Sequence, residues 1–195
     1  MAVDTSPCDV VAMVGSAGAI RAMERVLEQL PADLGAAVII VLHLTPQHRS
    51  LLAEILARRT ELAVKQAEDG DELQIGTVYV APPDAHLLAT GDGRLRLEHS
   101  ELVHHVRPSA DALLLSLAGE YEGRCLAIIL SGTGIDGAAG AAAIKHAGGT
   151  VLAQDEATSE HFGMPGAAIL AGGVDEVLPV NQIARAVIRF AKVVA

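Results

Sequence analysis

The chain has 195 residues, which suits one domain with a sizeable core, and 51% of them are hydrophobic. It contains two Phe, two Tyr and no Trp, so the core must be aliphatic, as in buried parallel strands and alanine-rich helices. The formal charge of −10 argues against nucleic acid or an anionic membrane as the main partner.

The sequence shows no membrane segment. No run approaches the ~18 to 20 uncharged apolar residues of a membrane span. The first residues also lack the basic start and long apolar centre of a secretory signal. We therefore expect a soluble, cytoplasmic protein without membrane insertion, in which Cys8 and Cys125 are reduced thiols near the core.

Short apolar runs alternate with helical patterns along the chain. Strands are predicted at residues 9–14, 36–42, 62–65, 77–81, 126–130 and 151–153. A β-hairpin is predicted from 87–89 and 94–97. Helices are predicted at 19–30, at 109–117 and from 163 to about 171. Three further helices are predicted: one begins after the cap residue Ser50, one follows the glycine-rich turn and ends at 147, and one begins after the cap residue Asn181. This order predicts one α/β domain, a doubly wound, mostly parallel sheet between helices with an inserted hairpin, a three-layer Rossmann-like fold.

The stretch 126–140 places a glycine-rich turn between a strand and a helix. Gly132, Gly134 and Gly137 form a GxGxxG pattern, and Asp155 follows at about the spacing of a dinucleotide-binding fingerprint. However, Asp136 lies inside the pattern, where its carboxylate would occupy the helix amides and repel phosphates. The fingerprint also usually opens the first βα unit of its domain, so nucleotide binding is the weaker interpretation and we expect no cofactor.

Three polar residues come at the carboxyl ends of predicted strands, where such sheets bind ligands. Ser16 follows the first strand, His43 the second, and Asp136 lies in the loop after 126–130. A serine hydroxyl needs an imidazole to take its proton, and a buried carboxylate orients that imidazole. Amides near Ala17 and Thr133 can donate to a developing oxyanion, typically worth ~3 kcal/mol each. The residues therefore predict a nucleophile, base and orienting acid.

Each of these residues also has an ordinary structural interpretation. Ser16 and Asp136 are typical helix caps, and a histidine after an apolar strand, such as His43, is often structural. Their joint placement at strand ends is what favours catalysis. His104 and His105 lack further zinc-ligand spacing, so we expect no metal.

These residues and their flanking motifs resemble the catalytic domain of chemoreceptor protein-glutamate methylesterases, the CheB-type family. The resemblance runs from about residue 11 to residue 190. Its motifs include the turn at 15–16, His43, and residues 67–71, 76–87, 107–111, 134–138, 153–156 and 163–165.

The resemblance implies hydrolysis of glutamate γ-methyl esters on methylated cytoplasmic receptor helices, with methanol release and deamidation of selected glutamines as a second reaction. It assigns the nucleophile to Ser16, the base to His43 and the orienting carboxylate to Asp136. Met164 is then interpreted as one wall of the substrate groove, with a plain loop-to-helix entry as the alternative.

The chain departs from the family pattern at three loops. Where the family usually has Ser-Thr-Gly-Gly, Gln-His-Met and Gly-Met-Gly, this chain has residues 16–19 (SAGA), 42–44 (LHL) and 132–134 (GTG). Backbone oxyanion donors survive these changes, whereas contacts from the replaced Thr and Met side chains do not. A catalytically weak, CheB-like binding module is therefore the alternative function.

Typical members also carry an N-terminal receiver domain that covers the active site until it is phosphorylated. This chain begins almost at the catalytic strand, so we expect residues 1–195 to be a single catalytic domain without a receiver domain. Regulation would then come from a separate protein, or the activity would be constitutive.

Overall fold

The structure is a computed structural model that describes residues 9–44 and 50–191. Its strands are β1 Asp9–Gly15, β2 Ala36–Leu42, β3 Ala63–Gln66, β4 Thr77–Val80, β5 His86–Ala89, β6 Leu95–Glu98, β7 Cys125–Ile129, β8 Thr150–Gln154 and β9 Glu176–Leu178. Its α-helices are α1 Ala19–Leu27, α2 Leu52–Ala57, α3 Ala110–Glu120, α4 Ala138–His146, α5 Gly163–Leu170 and α6 Val180–Ala191.

The centre of the fold is a seven-stranded sheet in the order β3-β4-β2-β1-β7-β8-β9. Every neighbouring pair in it is parallel. Strands β5 and β6 pair antiparallel in a separate two-stranded sheet. The predicted doubly wound sheet with an inserted hairpin is confirmed.

Successive side chains of β1 point to opposite faces of the sheet, so the core has two layers. Val11 and Met13 pack with α1 and α6 on one face of the sheet. Val10, Ala12 and Val14 pack with α3, α4 and α5 on the other face. Because helices cover both faces, the central strands are apolar throughout, and the three-layer αβα prediction is confirmed.

Several helix boundaries differ from the prediction, and α3 continues to Glu120 and not only to residue 117. Helix α1 ends at Leu27 and not at Leu30. Helix α6 begins at Val180, so Asn181 lies in its first turn and the prediction that Asn181 caps this helix is wrong. The N-cap of α2 is Leu51, without a side-chain capping bond, so the prediction that Ser50 caps this helix is wrong. Ser50 lies one residue earlier, and its hydroxyl accepts a hydrogen bond from the Leu52 amide at 3.1 Å. The chain break predicted at 46–50 lies largely outside the described residues.

Cys125 is fully buried at the start of β7. Burial raises the pKa of its thiol to about 12, so Cys125 is an inert core residue, as the sequence predicts. Cys8 lies outside the described residues. Within the ranges 9–44 and 50–191, the helices are all too short or too polar to cross a membrane.

The strand order sets the position of the site. The chain moves from β1 to β2 on one side and later returns to β7 on the other side of β1. The resulting crevice lies at the carboxyl ends of β1 and β7, which is the usual ligand-binding position in such sheets. Ser16, His43 and Asp136 follow the three neighbouring strands β1, β2 and β7.

Candidate active site

His43 and Asp136 are joined directly, although 93 positions separate them in the sequence. The imidazole Nε2 donates to Asp136 Oδ2 at 2.7 Å. Their side chains are 14% and 3% exposed, respectively. Because Nε2 is taken by the carboxylate, Nδ1 is the ring nitrogen left to exchange a proton with a substrate or a nucleophile.

The amino terminus of α3 holds the Asp136 carboxylate. Oδ1 accepts from the Ser109 hydroxyl at 2.7 Å and from the Asp111 amide at 3.0 Å. Oδ2 accepts from the Ala110 amide at 2.7 Å. These amides are among the helix donors without an intrahelical partner, and the helix dipole favours an anion there.

The sequence places Asp136 at the start of the helix that follows it, and the structure corrects this point. Gly137 is the N-cap of α4, has φ 93°, and makes no side-chain capping bond. A left-handed residue at this position turns the chain so that the Asp136 carboxylate reaches the end of α3 instead. Asp136 therefore belongs to an interaction between helices and does not cap its own helix.

The pKa of Asp136 is lowered from its ordinary value. Burial is the largest influence and by itself raises the pKa, but hydrogen bonds from His43, Asp111, Ser109 and Ala110 together outweigh it. Asp136 is therefore ionised at neutral pH and can stabilise a positive charge on the imidazole of His43.

Ser16 lies beside this pair. Its amide donates to Ser131 O at 3.0 Å, and the His43 amide donates to Gly15 O at 3.3 Å, so the ends of β1, β2 and β7 are tied together. Ser16 is not the cap of α1, because Gly18 takes that position, with φ 79° and no side-chain capping bond. Within the described ranges, its hydroxyl makes no hydrogen bond, either to His43 or to another residue.

The loops after β1 and β7 are fastened by buried polar groups. Ser131 Oγ donates to Ala17 O at 2.8 Å, and Gln154 Oε1 accepts from the Ser131 amide at 2.9 Å. Ala17 and Thr133 are both exposed. Among the described residues, no acceptor bonds to the amide of either one, so both amides are open to a ligand.

Met164 lies beneath the site. It is fully buried, and its amide donates to Gly132 O at 2.8 Å. A Cβ on Gly132 would collide with the Met164 thioether and come within 3.0 Å of the Ser16 amide. The structure thus places Met164 as a support of the Gly132 turn, and not on the surface where a groove wall would need it.

Two functional contacts were missed by the sequence reasoning. The sequence predicted Ser109 only as the first residue of a helix, whereas it is the N-cap of α3 and its hydroxyl accepts from the Ala112 amide at 3.3 Å. Its bond to Asp136 crosses 27 positions and has no local signal. Gln154, the last residue of β8, is also buried, and its side chain accepts from the Ser131 amide. His86 is a buried structural histidine whose Nδ1 accepts from the Ser109 amide at 3.2 Å.

Comparison with known proteins shows the family of this chain. The model of the CheB methylesterase family matches residues 11–187. The chain belongs to the CheB methylesterase family. The resemblance seen in the sequence is therefore confirmed.

Among curated CheB relatives, a protein-glutamate methylesterase/protein-glutamine glutaminase of Anaeromyxobacter dehalogenans is 44% identical over 91% of this chain and 52% of its own length. The protein-glutamate methylesterase FrzG of Myxococcus xanthus is 38% identical over 96% of this chain and 56% of its own length. The chain thus spans about half the length of the curated relatives it matches.

The fold is also that of a solved CheB domain. The crystal structure of the Thermotoga maritima CheB methylesterase catalytic domain matches with a TM-score of 0.89 and 38% identity. The match covers 93% of this chain and 98% of that domain. The predicted α/β architecture is confirmed by this likeness.

Proposed function

We propose that this chain is a serine esterase that hydrolyses glutamate γ-methyl esters on the cytoplasmic helices of chemoreceptors and releases methanol. The observation that carries the proposal is the hydrogen-bonded His43–Asp136 pair beside an unbonded Ser16 hydroxyl. The names of the curated relatives, protein-glutamate methylesterase/protein-glutamine glutaminase, give the substrate class.

In the first half of the proposed reaction, the Ser16 hydroxyl attacks the ester carbonyl carbon. His43 Nδ1 takes the hydroxyl proton, because Nε2 is already held by Asp136. The ionised Asp136 stabilises the imidazolium without taking a proton itself. The amides of Ala17 and Thr133 donate to the oxyanion. Methanol leaves with the proton from Nδ1, and the glutamyl group remains as an ester on Ser16.

In the second half, His43 Nδ1 takes a proton from water as the water oxygen attacks the acyl carbon. Collapse of this intermediate breaks the bond between the acyl carbon and Ser16 Oγ, which takes the proton back from Nδ1. The released glutamic acid side chain then loses its remaining proton to solvent and becomes a carboxylate. A glutamine side chain would follow the same path with ammonia in place of methanol. The same residues therefore account for deamidation as the second reaction, and the proposed chemistry requires no cofactor or metal.

We propose that the receptor docks beside α1. Arg21 and Arg25 are exposed and line a cavity of about 220 Å³ with Gly18, which lies two residues after Ser16. Within the described residues neither arginine has an ion pair, whereas Arg59, Lys65 and Lys145 each do. The two side chains are one helical turn apart, ~6 Å along the axis, which matches carboxylates one turn apart on a second helix.

This docking surface supplies local positive charge on a protein whose formal charge is −10. Each hydrolysed ester leaves a carboxylate, so a partly demethylated receptor helix would bind better than a fully methylated one. Charge reversal by Arg21→Glu with Arg25→Glu should raise KM for receptor membranes and leave hydrolysis of a small neutral ester unchanged. An equal loss of activity on receptor membranes and on the small ester would contradict the docking proposal.

The function is tested by methanol release from receptor membranes that have been methylated in advance. The wild-type chain should release methanol, Ser16→Ala should release none above background, and Asp136→Asn should be severely slowed. No release from the wild-type chain, with a full-length CheB protein active on the same membranes, would contradict the proposal and favour a CheB-like binding module.

A further inference from the structure

A strained turn precedes α3. Val103 and Val106 exchange backbone hydrogen bonds at 3.2 and 3.0 Å around the two residues between them. Those residues, His104 and His105, have φ 50° and 65°. A two-residue turn with both φ values positive normally carries Asn-Gly, and side chains as large as histidine are uncommon there. A histidine with a left-handed backbone persists only where surrounding contacts compensate for the strain.

The two histidines differ in this respect. His104 Nε2 donates to Asp111 Oδ2 at 2.9 Å. His105 is exposed and, among the described residues, makes no side-chain hydrogen bond. The turn thus holds one imidazole against a carboxylate that is only 3% exposed and leaves the other in solvent.

Asp111 connects this turn to the candidate active site. Its Oδ1 accepts from the Gly140 amide in α4 at 2.7 Å, and its own amide donates to Asp136 Oδ1 at 3.0 Å. Asp111 therefore joins the 103–106 turn, α3, α4 and the Asp136 carboxylate. A shift of Asp111 would move one of the donors that orient Asp136, and with it His43.

Two buried carboxylates lie close together here. One ligand atom from each of His104, Asp111 and Asp136 lies within 4.8 Å of the others. Like charges at this separation in a buried site repel, and each needs hydrogen-bond donors to remain in place. Asp136 has the end of α3 and His43, whereas Asp111 has the Gly140 amide and His104. Because protein donors already occupy these oxygens, the cluster is better suited to orientation than to binding a metal ion.

We propose that His104 is a positioning residue of the esterase: its imidazole holds Asp111, and Asp111 holds the Asp136–His43 pair in its reactive orientation. The left-handed backbone of His104 thus coincides with its contact to Asp111 and gives the strained turn a role. The inference rests on the proposed function for its kinetic consequence and is independent of that function for its structural consequence.

Three variants of His104 and one control test the inference. His104→Gln keeps an N–H donor near the position of Nε2 but cannot titrate. His104→Ala removes the donor. His104→Asn suits the left-handed backbone but is too short to replace Nε2, so it carries the test if the alanine variant does not fold. His105→Ala is the matched control, with the same change at the neighbouring left-handed position.

The first readout is steady-state hydrolysis of a soluble glutamyl methyl ester. His104→Ala and His104→Asn should lower kcat about tenfold, equivalent to about 1.4 kcal/mol at the transition state. KM should stay within about twofold, since substrate contacts are unchanged. His104→Gln and His105→Ala should match the wild-type chain. Equal kcat for His104→Ala, His104→Asn and His105→Ala would overturn the inference.

The second readout needs no turnover. The proton shared by His43 Nε2 and Asp136 should give a downfield NMR resonance, identified by its loss in Asp136→Asn. His104→Ala and His104→Asn should shift or broaden this resonance, and His104→Gln and His105→Ala should leave it in place. An unchanged resonance in His104→Asn would overturn the inference even if the chain proves inactive on esters.

Discussion

Replacing Ser109 with alanine tests how α3 supports the candidate active site. The change removes the 2.7 Å hydrogen bond to Asp136 Oδ1 and the 3.3 Å capping bond from the Ala112 amide. A hydrogen bond to a charged group contributes about 1.5–3 kcal/mol, and loss of an N-cap costs about 1 kcal/mol. The two bonds share one hydroxyl, so we expect the free energy of unfolding to fall by about 2–3 kcal/mol.

The matched control is Ser116→Ala in the same helix. Ser116 bonds to Leu113 O at 2.7 Å and to the Ala89 amide at 3.0 Å, and neither bond involves Asp136. Removal of the Ser116 hydroxyl should lower the free energy of unfolding by about 1 kcal/mol. Ser109→Ala should also lower kcat about tenfold because Asp136 is less firmly held, whereas Ser116→Ala should not.

The effect of Ser109→Ala on stability should depend on pH. Because the pKa of Asp136 is lowered in the folded state, its ionised form stabilises the fold above the unfolded pKa of about 3.9, and this contribution is lost as pH falls through the folded pKa. Removing the Ser109 donor raises the folded pKa toward its ordinary value. The difference between variant and wild type should therefore be largest near pH 7 and smaller near pH 3.

Urea unfolding at both pH values and steady-state ester hydrolysis provide the measurements. If Ser109→Ala matched Ser116→Ala in stability at both pH values and in kcat, the reasoning that α3 holds Asp136 would be refuted.

Three further predictions follow from other contacts. Gly132→Ala should lower the thermal midpoint because its Cβ collides with Met164. The double variant with Met164→Ala should lose less stability than the two single variants lose together. Strictly additive losses would argue against the clash. Asp136→Asn should lower kcat about 10³-fold or more, measured by methanol release, and a loss below tenfold would exclude an orienting role. In a Cys8→Ser background, Cys125 should resist iodoacetamide at pH 8 until the chain is unfolded, because its pKa is about 12; rapid native-state labelling, followed by mass spectrometry, would contradict its burial.

Local patterns in the sequence predicted most of the fold. Apolar runs predicted β1, β2 and β7, because strands covered on both faces must be apolar throughout. Strand β9 was not predicted, since it has three residues and two of them, Glu176 and Val177, are exposed. A short edge strand of this kind has no periodic signal to read.

The candidate site was predictable only in part. The positions of Ser16, His43 and Asp136 after neighbouring strands follow from the parallel topology, in which carboxyl ends share one edge. The contacts of Ser109 and Asp111 with Asp136 depend on how α3 packs against the β7 loop, which no local pattern records. The burial of Met164 was missed for the same reason, because the Gly132 turn above it closes only in three dimensions.

The most direct test of the account is the site of covalent labelling by a fluorophosphonate, which forms a stable adduct with an activated serine. If Ser16 is the nucleophile, we expect a single adduct on the peptide that contains Ser16, no adduct in Ser16→Ala, and much slower labelling in Asp136→Asn. An adduct on a different residue, or full methanol release by a protein whose Ser16 has been replaced, would contradict the proposed role of Ser16.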